Sequence, residues 1–401
     1  MRLDYGVTRA PARLFFGPGQ RRAIGRAARD LGRKVLICTD ERLARLPILQ
    51  EILEDITVHN GLEATVFDAT EPELPLAGIL DCVAEYRSFD PDVIVGLGGG
   101  SCLDLAKLVS LLLSYEGPLS QYYGEFKVPG PVRPLIAVPT TSGTGSEVTP
   151  VAVLADPERT MKVGISSPAL IPHTAICDPE LTVTCPPGLT AISGADALAH
   201  AVEAFAAVSR PPDPRMAMER VFVGKNTLSD HYALLAIKLI FESLRRAVAD
   251  GGDIEARSAV MLGATYAGLA FGSGGTAIAH AIQYPVGAQT HTAHGLGVGI
   301  LLPYTMDFNM QAASASYAEV GRVIGAASAD QPDEEAGRAA IAAVRKLFGD
   351  IGIPASLRNI ALTEDDLDSL SVLSMNAARL VENNPAAVDP ESIKQILMRA
   401  L

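Results

Sequence analysis

VIVGLGGGSCLDLAK, residues 93–107, decides how the first half of the chain reads. A β-branched run, Val93-Ile94-Val95, feeds a cluster of glycines, and a helical pattern begins at Ser101. Glycines let backbone N–H groups come close to a ligand, and a helix N-terminus carries partial positive charge. Strand, glycine turn and helix in that order make a cradle suited to a pyrophosphate. The spacing is GGGS and not GxGxxG, so the usual dinucleotide fingerprint is not formally met. A plain turn is the competing reading.

Outward from this stretch the same alternation recurs. Residues 13–16 (RLFF) end in the turn signal Gly17-Pro18-Gly19, 20–31 read as a helix, and 34–39 (KVLICT) as a buried strand ending at Asp40. Residues 64–67 and 134–138 (PLIAV) read as further strands, and 75–88 and 102–115 as helices. Strands alternating with helices over short connections predict a parallel sheet covered on both faces. Beyond residue 187 clear strand signals vanish, and 189–208, 230–250, 254–271 and much of 310–401 carry helical periodicity. The expected architecture is an α/β nucleotide-binding domain, 1–187, and an all-α domain, 188–401, divided at the Cys185-Pro186-Pro187-Gly188 turn. One stretch, 209–224 (SRPPDPRMAMERVFVG), is expected to interrupt the helices irregularly.

Composition bounds the function. At 401 residues the chain is too long for one ordinary core, which fits two domains. Its 48% hydrophobic and 20% charged content are those of a soluble globular protein. A net charge of −13 argues against nucleic acid or an anionic membrane surface as the main partner. The five cysteines are odd in number and lack CxxC spacing, so neither structural zinc nor a disulfide framework is expected. No apolar run has the length of a signal peptide or a membrane span. A cytoplasmic, two-domain, soluble protein is the expectation.

A second loop strengthens the nucleotide reading. Thr140-Thr141-Ser142-Gly143-Thr144-Gly145-Ser146 sets hydroxyls and glycines directly after a strand, as a nucleotide crevice requires. Asp40 ends an earlier strand and reads as an acceptor for a ribose diol, which favours NAD over NADP because a carboxylate repels a 2′-phosphate. Its alternative role is a helix N-cap.

The second half offers a different chemistry. Asp196 and His200 are four apart on a predicted helix and so share a face. His280, His291 and His294 fall within sixteen residues, HAIQYPVGAQTHTAHG. One carboxylate and several imidazoles form a ligand set for a divalent transition metal. His280 is expected before a helix break at Pro285, and His294 at the start of a new helix over 295–302. Buried core histidines are the bland alternative.

These segments together resemble the iron-containing (group III) alcohol dehydrogenases over nearly the whole chain. GGGSxxDxAK stands as Gly98-Gly99-Gly100-Ser101 with Asp104 and Lys107; PTTxGTGSEVT as 139–149; GxDAxxHAxE as Gly194, Asp196, His200 and Glu203. The last signature is His280, Pro285, Gly287, His294-Gly295 and 301–309. The resemblance implies Asp196, His200, His280 and His294 as ligands of Fe2+ or Zn2+. It implies an NAD site on Gly99, Gly100, Ser101, Thr140, Thr141 and Thr149, with Asp104 and Thr144 from the same motifs. Lys162 would lie near the phosphates or ribose, and Asp40 at the NAD-favouring position. Many members carry a histidine four residues after the third ligand as a proton relay; Tyr284 stands there in this chain, and His291 is the other candidate. Phe271 is a candidate to pack on the nicotinamide.

The implied activity is metal-dependent, NAD(P)-linked interconversion of a small primary alcohol and its aldehyde, in a homodimer or higher homo-oligomer. Tyr284-Pro285 and the basic segment with Arg210, Arg215, Arg220 and Lys225 also resemble the hydroxyacid–oxoacid transhydrogenase branch. They suggest a substrate with an acidic group, of the 4-hydroxybutyrate or succinic semialdehyde type. A metal- and NAD-dependent lyase or cyclase on the same scaffold is a further alternative.

Overall fold

The computed structural model describes residues 5–159 and 162–401. It divides into two compact units: 9–184 with 218–221, and 185–217 with 222–401 and the preceding segment up to Thr8. The first is built on six parallel strands in the order β1-β9-β6-β4-β2-β3. Of these, β1 is Arg13–Phe16, β2 Lys34–Cys38, β3 Glu63–Phe67, β4 Val93–Gly98, β6 Leu135–Pro139 and β9 Thr174–Cys177. A separate three-stranded sheet is formed by β5 (Gly124–Glu125), β7 (Val151–Leu154) and β8 (Val163–Ser166).

Apolar side chains leave both faces of the six-stranded sheet. Val35, Ile37, Val93, Val95, Ile136 and Ile176 belong to one buried cluster, while Leu36, Cys38, Ile94 and Leu135 belong to the other. Alternation by two along each strand therefore fills two cores, which is why these strands read as continuous apolar runs. Gly96 lets the Gly100–Ser114 helix pack close on β4: a Cβ there would lie 3.2 Å from Leu103 Cα and 3.0 Å from Ala106 Cβ.

Sheet order also locates a crevice. The chain leaves β2 for β3 on one side, and leaves β4 for β6 on the other. The connections therefore part at the carboxyl ends of β2 and β4, the topological switch point at which α/β sheets bind ligands. Asp40 and the 98–100 glycines stand there. The sequence reading missed β9, which lies between β1 and β6 near one end of the sheet. Only four residues long and bounded by Pro172-His173 and Asp178-Pro179, it is too short for periodicity to reveal.

The second unit is helical, with no strand among its described residues. Its main helices are Pro187–Ala206, Thr227–Ala249, Ile254–Gly274, Ile278–Thr290, His294–Val323 and Asp333–Asp350. Local chemistry sets several starts. The Asn226 side chain accepts from Ser229 N and the Asp253 side chain from Ala256 N, while Pro187 occupies a first-turn position. Two expectations are corrected. Pro285 does not break its helix, which runs on to Thr290, because Ala281, Ile282 and Val286 are buried along one side and hold it. It ends at His291, in the left-handed region at φ +55°. The helix opening at His294 runs thirty residues, well past 302, with non-helical φ/ψ only at Ala313. Among the described residues, no helix is long and apolar enough to cross a membrane.

Candidate metal centre and nucleotide crevice

Three helices bring four expected ligands together. Asp196 and His200 lie one turn apart on the buried Pro187–Ala206 helix, His280 sits in the first turn of Ile278–Thr290, and His294 opens His294–Val323. Nε2 of His280, His294 and His200 lie 3.5, 3.7 and 3.9 Å from the same oxygen, Asp196 Oδ1. Gly295 permits this approach. A Cβ there would stand 2.6 Å from Ile192 O and 3.0 Å from Asp196 Cβ, forcing the His294 helix away from its partner.

These distances fit a metal ion better than a hydrogen-bond cluster. A tetrahedron with metal–ligand bonds near 2.0–2.1 Å has ligand–ligand edges of about 3.4 Å. At 3.5 Å and beyond, direct hydrogen bonds are weak or absent. Asp196 Oδ1 and His280 Nε2 are both buried and meet no hydrogen-bond partner. Two orphaned polar atoms aimed at one point would be costly without something between them. Asp196, His280 and His294 offer ligand atoms within 4.8 Å of one another, and His200, at 3.9 Å from Asp196 Oδ1, stands outside that compact group. The set is closed on one side and open on the other: the His294 side chain is 29% exposed, whereas those of Asp196 and His280 are at 6% and 3%.

Burial alone would push the Asp196 carboxyl up, but His200, His294 and His280 together hold it well below the usual carboxylate range. Burial pushes the His280 imidazole down, and the Glu203 and Asp196 carboxylates more than offset this, raising it to about 9.

The surrounding aromatic rings fall into place. The Phe271 ring stacks on His200 with centroids 4.3 Å apart, and His200 stacks on His280 at 4.7 Å. Phe271, for which nicotinamide packing and a core position were both open, therefore has a partner in the cluster. Tyr284 lies one turn beyond His280, its ring 6.1 Å from that of His294 and packed against Ala281, Ala377 and Leu380. His291 stands exposed at the helix end.

Sequence reasoning assigned no role to Glu203. Its Oε2 lies 2.5 Å from His280 Nδ1 and accepts from Ala277 N at 2.9 Å, and Oε1 accepts from Ala279 N at 2.7 Å. The 196, 200, 203 spacing, three and four apart, was the available signal for a shared helix face.

The nucleotide crevice is built mainly from backbone. Thr140 N donates to Gly98 O at 2.9 Å, and the 140–146 loop folds back over the glycines. A Cβ on Gly99 would lie 3.6 Å from Thr141, and one on Gly100 only 2.7 Å from Thr144 Cγ2. Ser101 is half-buried in the first turn of the following helix. Gly98 has φ +152° and a Cβ there would sit 2.5 Å from Cys102 Sγ, so this position demands glycine.

Several expected cofactor residues serve the protein itself. Asp104 accepts from Ser146 Oγ at 2.6 Å and from Val153 N at 2.9 Å, which uses both carboxylate oxygens. Thr149 is buried against Lys107, whose Nζ reaches Thr149 O at 3.0 Å and Val151 O at 2.7 Å. Lys162 is ion-paired with Glu73. Asp40 caps the short Glu41–Ala44 helix, accepting from Leu43 N at 2.8 Å, and its second oxygen faces Cys102 Sγ at 3.8 Å. The basic segment is likewise engaged. Arg210 donates to Val223 O and Asn383 Oδ1, Lys225 pairs with Asp230 at 2.9 Å, and exposed Arg215 pairs with Asp213. Arg220 is exposed.

The family model described as iron-containing alcohol dehydrogenase matches residues 11–179, and that of the Fe-containing alcohol dehydrogenase family, C-terminal, matches 190–401. Sulfoacetaldehyde reductase of Bilophila wadsworthia is 35% identical over 94% of each chain. The mitochondrial hydroxyacid-oxoacid transhydrogenase of Rattus norvegicus is 30% identical over 98% of this chain and 89% of its own. The crystal structure of sulfoacetaldehyde reductase from Bifidobacterium kashiwanohense in complex with NAD+ superposes with a TM-score of 0.84 at 28% identity, covering 100% of this chain and 99% of that one.

Proposed function

We propose that this chain, which belongs to the iron-containing alcohol dehydrogenase family, is a metal-dependent, NAD-linked aldehyde reductase or alcohol dehydrogenase acting on a small substrate that bears an acidic group. The observation that carries the reading is the convergence of three imidazole Nε2 atoms on the buried Asp196 Oδ1. Asp196, His200, His280 and His294 would hold the metal; Fe2+ and Zn2+ both suit nitrogen and oxygen ligands. When bound, such an ion supplies Lewis acidity toward a carbonyl or alcohol oxygen.

The chain's own residues do the remaining work. Phe271 braces the His200 ring, and Glu203 braces His280. His294 is the exposed member, so substrate approaches on its side. Tyr284 lies beside His294 and is the better placed proton carrier, with exposed His291 second. Gly99, Gly100 and Ser101, at the switch point and a helix N-terminus, would take the pyrophosphate, and Thr140, Thr141 and Thr144 line the facing loop. The hydride chemistry itself belongs to the nicotinamide. Asp40 at the end of β2 supports NAD over NADP.

The acidic group is supported by likeness to sulfoacetaldehyde reductase, whose substrate is an aldehyde carrying a sulfonate. A second reading, a hydroxyacid–oxoacid transhydrogenase, is supported by the likeness to that enzyme and by Tyr284-Pro285. The deciding assay follows NADH oxidation by iron- and zinc-loaded protein with sulfoacetaldehyde, succinic semialdehyde and propionaldehyde. The acidic aldehydes should show at least about tenfold higher kcat/KM, a difference of about 1.4 kcal/mol. A preference for propionaldehyde would reject the acidic substrate, and turnover of none would reject the reductase. Hydroxyacid oxidation coupled to a 2-oxo acid without added NAD would favour the transhydrogenase.

A further inference from the structure

We infer that Glu203 is a positioning residue that sets the metal affinity of the centre by holding His280. This rests on the metal-site reading above and goes beyond it. Glu203 occupies the same helix as Asp196 and His200, one turn past His200, and is 6% exposed. A carboxylate at that depth needs compensation, usually from Lys or Arg. Among the described residues its ion-pair partner is His280. The rest of its capacity is spent on the N-terminus of the Ile278–Thr290 helix, where it accepts from Ala277 N and Ala279 N.

That helix start explains the arrangement. Its N-cap, Ala277, has no side chain able to bond the free N–H groups of the first turn. Glu203, reaching over from another helix, takes the place of a cap and meets the positive end of the helix dipole. The same contact fixes the imidazole. With Nδ1 turned to Glu203 at 2.5 Å, Nε2 is the nitrogen left to face Asp196 Oδ1 at 3.5 Å. A histidine ligand held by a carboxylate on its far nitrogen is fixed in orientation and is a stronger donor.

The test is a double-mutant cycle read by metal affinity. Metal-stripped protein is titrated with Co2+ against a competing chelator, for wild type, Glu203→Gln, His280→Ala and the double variant. Glu203→Gln should weaken Co2+ binding by about 10- to 100-fold and shift the visible spectrum of the bound ion. In the His280→Ala background the same change should cost less than about twofold, because the carboxylate acts through that imidazole. Equal losses in both backgrounds would make Glu203 a helix cap only and overturn the inference. An unchanged Glu203→Gln beside a weakened His280→Ala would also overturn it while leaving the metal site standing. Wild type that fails to bind Co2+, or His280→Ala that binds as tightly as wild type, would instead sink the metal-site reading. If Glu203→Gln does not fold, Glu203→Asp keeps the charge and withdraws by one methylene. It should lose affinity in the wild-type background and not in the His280→Ala one; equal losses in both, or none in either, would again overturn the inference.

Discussion

The metal cluster and the nucleotide crevice were read from equally conspicuous motifs, yet they are built in opposite ways. Around Asp196 the polar side chains are withheld from the fold: Asp196 Oδ1 and His280 Nε2 are buried without hydrogen-bond partners. Around Gly98 the polar side chains are spent on the fold, Asp104 on Ser146 and Val153, and Lys107 on the carbonyls of Thr149 and Val151. What is left open in the crevice is backbone and small residues. A metal needs side-chain lone pairs, whereas a pyrophosphate is held largely by N–H groups at a helix start. Polar residues in a motif therefore stay unsatisfied in one region and serve the scaffold in the other.

The contrast breaks most visibly at His280. His280→Ala should weaken metal binding by roughly 100-fold or more without abolishing it, and lower kcat/KM by roughly three orders of magnitude or more, on the scale of several kcal/mol of lost charge stabilisation. Metal analysis and circular dichroism measure this together. Full activity in a metal-free variant would end the assignment. Tyr284→Phe should keep the metal and lower kcat by about 100-fold, the low end for loss of a general acid or base. A variant with unchanged kcat would return the proton to water or His291.

Lys107 tests the other half, because its part is in the scaffold. Burial pushes its ammonium down to about 8, against the pull of Asp104 and Glu147. A folded pKa below the unfolded value means that the unfolded chain binds more protons between about pH 8 and 10.5, so stability rises with pH through that window. Relative to Lys107→Met, wild type should gain about 2 kcal/mol between pH 8 and pH 10 in denaturant unfolding. Parallel curves would show that the ammonium titrates normally.

The sequence disclosed different parts of the two regions for physical reasons. Long apolar strands such as β2 and β4, and helices with periodic burial, declare themselves because many residues repeat one pattern. Four-residue β9 does not, since its place between β1 and β6 comes from pairing and not from its own composition. Pro285 reads as a breaker, but the buried side of its helix outweighs one lost hydrogen bond. Spacing offered Asp196 and His200 with three histidines within sixteen residues, and the family resemblance picked His280 and His294 among them. Glu203 was equally legible on the same helix face, but its target lies 77 residues away in sequence and only the fold brings it close. Asp104, Thr149 and Lys162 came from motifs that record which residues recur together, and in the fold each has a partner within the protein.

Gly99 isolates the backbone half of the comparison. Its φ of −76° suits any residue, and a Cβ would make only ordinary contact with Thr141 at 3.6 Å. Gly99→Ala should therefore fold with an unchanged melting temperature and still weaken NAD binding by about tenfold, since the added methyl stands where the phosphate must approach. Unchanged affinity would move the pyrophosphate elsewhere.

Asp40 is a helix cap in the fold and, in the proposed function, a selector for NAD, so it needs the gentlest probe. One oxygen accepts from Leu43 N as a helix cap, so a change to glycine or alanine would mix a structural loss with any change in cofactor choice. Asn keeps a cap oxygen and removes the negative charge. If the carboxylate selects against a 2′-phosphate, Asp40→Asn should leave thermal stability within about 1 kcal/mol of wild type, because Asn and Asp cap almost equally well. It should then shift the ratio of kcat/KM for NAD over NADP toward NADP by several-fold to about tenfold, the scale of one removed charge repulsion in a solvated crevice. An unchanged ratio with unchanged stability would leave Asp40 a cap alone, and any discrimination between NAD and NADP would then have to come from the shape of the β2–β4 crevice.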